Sequence, residues 1–134
     1  MKYLIKAVTT NNRDLKTSLY FAFEERAYLF NCPDGFQRLA LNQKIRFKSV
    51  RYVFLSNVHP DYYGGFPGFY LSSREAAFGQ GELQNFKVGV FGPKILQDIV
   101  RKGRSFIGYL DYLEIFDYQS MDKYLTEVKV GNQY

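Results

Sequence analysis

The segment Arg51-Tyr52-Val53-Phe54-Leu55-Ser56 constrains the fold more than any other stretch of this chain. It is a short, nearly continuous apolar run that ends in a polar loop. Such a run suits a strand buried on both faces, as in the interior of an α/β sheet. Upstream, strands are predicted at about 2–9, 17–23 and 27–31, with turns at Asn11-Asn12 and Glu24-Glu25-Arg26, giving an antiparallel meander. Pro33-Asp34-Gly35 breaks the third strand, and Phe36, Leu39 and Ala40 then recur at helical spacing through about Gln43. Downstream, a loop spans Asn57–Gly65 and a helix runs from about Phe66 to Ala77. A strand follows at about Lys87–Phe91, and Gly92-Pro93 opens a helix through about Arg101. Tyr109–Tyr118 fits a short helix or a strand equally well, and Lys123–Val130 is predicted as a last strand.

This order describes a mixed sheet with helices that can cover one face. The chain has 134 residues, a normal size for one domain, yet carries 12 Tyr and 13 Phe. That aromatic load exceeds what a one-sided layer buries and excludes a disordered chain. The open face is therefore expected to dock against another protein or against the rest of a larger architecture. The single cysteine, Cys32, excludes an internal disulfide and a Cys-based zinc site. No apolar run approaches a membrane span, no cleavable signal pattern is legible, and an intracellular location is expected. The net charge of +5 favours an anionic partner, either RNA or an acidic protein surface.

The most informative stretch is Phe54-Leu55-Ser56-Asn57-Val58-His59-Pro60-Asp61-Tyr62-Tyr63-Gly64-Gly65. A buried strand that delivers His and Asp onto a loop, followed by Gly-Gly before a helix, resembles the metal loop of metallo-β-lactamase-fold hydrolases, T-H-x-H-x-D-H-x-x-G. Phe30-Asn31-Cys32-Pro33-Asp34-Gly35-Phe36-Gln37-Arg38-Leu39 resembles the F-[DN]-C-G-E-G-x-Q-R-L segment of tRNase Z, the endonuclease that trims tRNA 3′ trailers. Val90-Phe91-Gly92-Pro93 is similar to that family's strand–Gly-Pro–helix step. The resemblance spans residues 2–105. It implies half of a metallo-β-lactamase-like αβ/βα sandwich, with residues 1–134 forming a single degenerate half domain.

Departures from the family pattern shape the functional expectation. Aligned on the metal loop, Asn57 and Tyr62 stand where the family has histidines, while His59 and Asp61 match. His59 is the only histidine, and one imidazole with one carboxylate cannot close a three-ligand catalytic zinc site. The resemblance is to the N-terminal half of long-form tRNase Z, which has lost metal ligands. No cofactor is expected in this chain, and zinc is expected only in a catalytic partner half. In the family this half also bears an arm that grips the tRNA elbow. No such insertion is legible here.

Each matching residue also has a plainer reading. His59 reads as a vestigial ligand or as a hydrogen-bonded loop residue, and Asp61 is expected to cap the loop through backbone N–H groups. Gly64, Gly65 and Gly68 serve backbone geometry and close helix packing. Asn31, Cys32, Asp34 and Gly35 turn the chain from strand to helix, with Asp34 near the helix N-terminus and Cys32 buried. Gln37 and Arg38 match family positions, although a surface contact explains Arg38 equally. Arg38, Lys44, Arg46, Lys48 and Arg51 form one basic run, and Lys94, Arg101, Lys102 and Arg104 belong to a second. Both are candidates for RNA contact, with Phe47, Phe106 or Tyr109 available for stacking, and a solvated charged surface is the alternative. The expected function is a non-catalytic half that scaffolds a catalytic half and offers basic surface to tRNA. The alternative is a decayed remnant serving as a structural subunit of a large ribonucleoprotein or protein assembly.

Overall fold

The computed structural model of the chain describes residues 2–9, 17–82, 85–103 and 112–118. Three strands open it, β1 (Tyr3–Thr9), β2 (Ser18–Phe23) and β3 (Arg26–Phe30), each antiparallel to its neighbour. After β3 come α1 (Phe36–Asn42), a 3-10 turn (Phe47–Ser49) and β4 (Val50–Phe54). The one-turn helix α2 (Pro60–Tyr63), α3 (Phe66–Gly79), β5 (Val88–Gly92), α4 (Leu96–Lys102) and β6 (Leu113–Asp117) complete the described elements.

The six strands lie in the sheet in chain order, and β3, β4, β5 and β6 run parallel. Each parallel step therefore moves one place in the same direction. Right-handed crossovers then bring every connecting helix to the same side of the sheet. The expected mixed sheet with helices on one face is the architecture found.

The covered face is aliphatic where the helices press on it. Ala27, Leu29, Val53, Val88 and Val90 have no exposed surface, and neither have Phe36, Phe66, Phe69, Tyr70 and Leu96 from the helices above them. Phe47 fits edge-on against Phe69, with ring centroids 5.5 Å apart. This packing is why residues 47–49 wind into a tight turn just before β4.

Alternate residues of the same strands form the second face, and the register aligns them across the sheet. Leu19 stands opposite Phe30, Tyr28 opposite Tyr52, Phe54 opposite Phe91, and Phe91 opposite Phe116. Phe30–Phe54, Phe54–Phe91 and Phe91–Phe116 stack with centroids 5.1, 5.0 and 4.6 Å apart. Among the described residues no helix lies over this face. Toward β1 it ends in Tyr3 and Ile5, 69% and 61% exposed.

Two details differ from the sequence expectations, and one open reading is settled. The Asn57–Gly65 loop contains α2, because Pro60 suits a first helical turn. Gly92 belongs to β5, and α4 begins only at Leu96, whose N–H reaches the Pro93 carbonyl at 2.9 Å. The ambiguous segment near Tyr109–Tyr118 yields β6, fixed by parallel pairing with β5. Gly35, at φ 83°, is the N-cap residue of α1, and Asp34 immediately precedes it near the helix N-terminus. The Asn11-Asn12 turn, Phe106, Tyr109 and the Lys123–Val130 strand lie outside the described residues. Among those described, no helix is long and apolar enough to cross a membrane.

Candidate functional site

The parallel strands β3, β4 and β5 end at one rim of the sheet, and the motif segment and the histidine loop meet there. Asn31 sits just past β3 in the left-handed region at φ 65°, a conformation asparagine tolerates better than most side chains. Its N–H donates to the Phe54 carbonyl at 2.7 Å, and its Oδ1 accepts from the Ser56 N–H at 2.9 Å and the Ser56 hydroxyl at 3.1 Å. The Ser18 hydroxyl donates to the Asn31 carbonyl at 2.7 Å. One residue thus ties β2, β3 and the exit of β4 together. Ser18 and Ser56 carried no signal in the sequence that would have marked them as its partners.

Cys32 follows, fully buried, and burial pushes its thiol well above the ordinary range. A thiol held neutral in this way is neither a nucleophile nor a ready metal ligand. Its backbone binds the loop instead: the Cys32 N–H donates to the Tyr62 carbonyl at 2.7 Å, and the Gly65 N–H to the Cys32 carbonyl at 2.9 Å. A side chain at Gly65 would bring its Cβ within 2.1 Å of the Pro33 carbonyl oxygen, so only glycine permits this approach. Gln37 reaches from α1 to the Ser72 hydroxyl on α3 and lies close against Gly68, which makes it a packing residue. Arg38 and Asp34 are exposed.

The loop itself is organised by its polar side chains. Asn57 Oδ1 accepts the His59 N–H at 3.0 Å, and His59 Nδ1 accepts the Asp61 N–H at 3.2 Å, which makes His59 the cap of α2. The cap expected of Asp61 is therefore supplied by His59, because the imidazole precedes Pro60 and faces the free N–H of the first turn. Asp61 Oδ2 lies 3.4 Å from the same nitrogen. Tyr62 contributes its carbonyl to Cys32 and is half-buried. The donor set does not fit a zinc ion. Among the described residues, no group of three His, Cys, Asp or Glu side chains is placed to hold one.

The basic candidates divide between locations. Lys44, Arg46 and Arg51 line one concavity at the opposite rim, where the parallel strands begin. They are joined there by Lys2, Lys6 and Arg26, which the sequence reading did not single out. Arg38, Lys94, Arg101 and Lys102 are exposed elsewhere, on or beside α1 and α4. The Lys48 side chain and Arg104 lie outside what the structure describes.

Comparison with known proteins adds the following. A family model described as tRNase Z endonuclease matches residues 6–65. The mitochondrial tRNase Z TRZ4 of Arabidopsis thaliana is 35% identical over 97 residues, covering 72% of this chain and 10% of its own length. Zinc phosphodiesterase ELAC protein 2 of Homo sapiens is 29% identical over 111 residues, covering 83% of this chain and 13% of its own. Among solved structures, human tRNase Z, short form, superposes with a TM-score of 0.69 at 14% identity, over 84% of this chain and 44% of that one. The long-form RNase Z from yeast superposes with a TM-score of 0.67 at 23% identity, over 87% and 15%. The chain thus spans about a tenth of the length of the curated relatives it matches.

Proposed function

Because this chain belongs to the tRNase Z family, we propose that it works as a non-catalytic half of a tRNase Z-type tRNA 3′-processing endonuclease. In this reading it scaffolds a catalytic metallo-β-lactamase-fold half and contributes basic surface to tRNA. The observation that carries the proposal is the uncovered aromatic face. Strands β3 to β6 present stacked rings to the side without helices, and an apolar face of that kind is characteristic of a surface that another layer covers. A second αβ layer is the natural cover, since the chain matches 44% of a short-form tRNase Z structure. The histidine loop supports the non-catalytic assignment, because Asn57 Oδ1 and His59 Nδ1 accept backbone N–H groups of the loop and, among the described residues, no group of three metal-binding side chains forms there. Zinc belongs, in this reading, to the catalytic half. The parts left to this chain are to present the aromatic face, to hold the rim rigid through Asn31 and Cys32, and to supply cations.

Native mass spectrometry of the complex purified through a tag on this chain tests the proposal. A one-to-one complex with a ligand-complete metallo-β-lactamase-fold polypeptide is expected, and Phe54→Glu, which places a charge on the aromatic face, is expected to dissociate it. Recovery of a partnerless, well-folded monomer would overturn the proposal. So would pre-tRNA 3′ cleavage by the chain alone with stoichiometric zinc that is lost in His59→Ala. A many-subunit assembly lacking such a partner would select the structural-subunit reading instead.

A further inference from the structure

The rim opposite the histidine loop carries a concentration of charge that the aromatic face does not explain. A concavity of about 900 Å3 is lined there by Lys2, Lys6, Arg26, Lys44, Arg46 and Arg51, against three glutamates. Two smaller concavities, of about 460 and 210 Å3, continue from it, and Arg51 lines all three. The result is a track along the starts of the parallel strands, ending at Lys87, which is paired with Glu114.

Two of its cations are held by side-chain hydrogen bonds, and two more project from anchored backbone. Lys6 Nζ donates to the Gln43 carbonyl at 3.1 Å and the Arg51 guanidinium to the Asn85 carbonyl at 3.3 Å. Arg46 projects from between two buried residues, Ile45 and Phe47, so its backbone is anchored while its side chain is exposed. Lys44 sits in the left-handed turn after α1, at φ 57°, with its N–H bonded to the Leu41 carbonyl. Among the described residues, the ion pairs observed do not involve Lys2, Arg26, Lys44 or Arg46.

We propose that this track binds the phosphodiester backbone of single-stranded RNA. Three features favour that ligand over a compact anion. The cations are spread along a groove, as successive phosphates are. The concavities are open and chained rather than enclosed. Tyr3, 69% exposed, lines the same groove and offers a ring on which a base can stack. The track lies at the end of the sheet away from the histidine loop, so RNA held there follows a path separate from that loop.

The inference deepens the RNA-contact part of the function proposed above and is independent of pairing with a catalytic half. RNA binding by the isolated chain is read without any partner, so either proposal can fail alone. The probe is a fluorescein-labelled 15-nucleotide oligouridylate, followed by anisotropy between 50 and 200 mM salt. Lys44→Glu with Arg46→Glu is expected to weaken binding about tenfold or more and to flatten the salt dependence, as loss of phosphate contacts does. Arg38→Glu with Lys94→Glu, the same charge change away from the track, is expected to weaken it by about twofold or less. Lys44→Gln with Arg46→Gln guards against misfolding and is expected to retain the parent melting temperature while losing binding. Equal losses in the track and control variants would overturn the proposal, as would absence of RNA binding by the parent chain. Displacement of the RNA by polyglutamate of equal charge would assign the track to an acidic protein segment and would likewise overturn it.

Discussion

The two faces of the sheet are made from the same strands and obey opposite rules. One is built from Ala27, Leu29, Val53, Val88 and Val90, small or branched side chains over which helices bring Phe36, Phe66 and Phe69. The other carries Tyr28, Phe30, Tyr52, Phe54, Phe91 and Phe116, whose rings pack on one another across neighbouring strands. Beneath helices, aliphatic residues interdigitate with large side chains arriving from above. On the second face the rings supply their own neighbours, so Phe91 is only 3% exposed even without a helix above it. A sheet can therefore remain ordered with one face finished and the other waiting for a second layer. Under the proposed function, that division separates folding of this chain from its assembly with a catalytic half.

The largest effect expected from this contrast is on stability. Phe69→Ala removes a fully buried ring that touches Phe36, Phe47 and Phe66, and is expected to cost about 3–5 kcal/mol. Phe54→Ala, in the half-buried ring row of the other face, is expected to cost about 1.5 kcal/mol or less in the isolated chain. Urea titrations of the two variants compare them directly, and a reversed order would break the distinction between a finished face and a waiting one.

A smaller effect comes from the buried acids of the motif rim and the helix-covered layer. Burial raises the folded-state pKa of Cys32, and raises those of Tyr20 and Tyr63 as well. A raised acid pKa means that the folded chain holds protons the unfolded chain releases. Stability from these groups is complete below the unfolded values and falls as pH rises from about 9 toward the folded ones, by about 1.4 kcal/mol per pH unit for each fully affected group. Denaturation between pH 8 and 11 is expected to show this loss, with a shallower slope in Cys32→Ala. An unchanged slope would show that the thiol is not sealed in the folded state.

The smallest effect belongs to the histidine loop, outside both faces. His59→Ala removes the cap of a one-turn helix and is expected to lower stability by about 0.5–1 kcal/mol, while His59→Asn restores an acceptor and recovers part of it. A drop of several kcal/mol, read from the same urea titrations, would give the ring a larger role than capping.

Much of this architecture is legible in the chain. The apolar run ending at Leu55 announces an interior parallel strand, and Pro33-Asp34-Gly35 and Gly64-Gly65 mark where strands yield to helices. What was not legible depends on neighbours distant in sequence. His59 as a cap required the turn at Pro60–Tyr63, which is too short to leave a periodic signal. The join between Asn31 and Ser56 is made only when β3 and β4 lie side by side.

By itself, the sequence determined the alternation of strand and helix, the excess of aromatic side chains and the single histidine and cysteine, because each follows from local pattern or from counting. Only the tertiary structure decided which aromatics share a face, and that Lys2, Arg26, Lys44 and Arg51 meet at one rim. Both faces of a central strand are apolar, so periodicity cannot tell them apart. Strand order and the right hand of the crossovers choose the side that the helices cover, and the aromatic residues left on the other side form the face that no described helix covers.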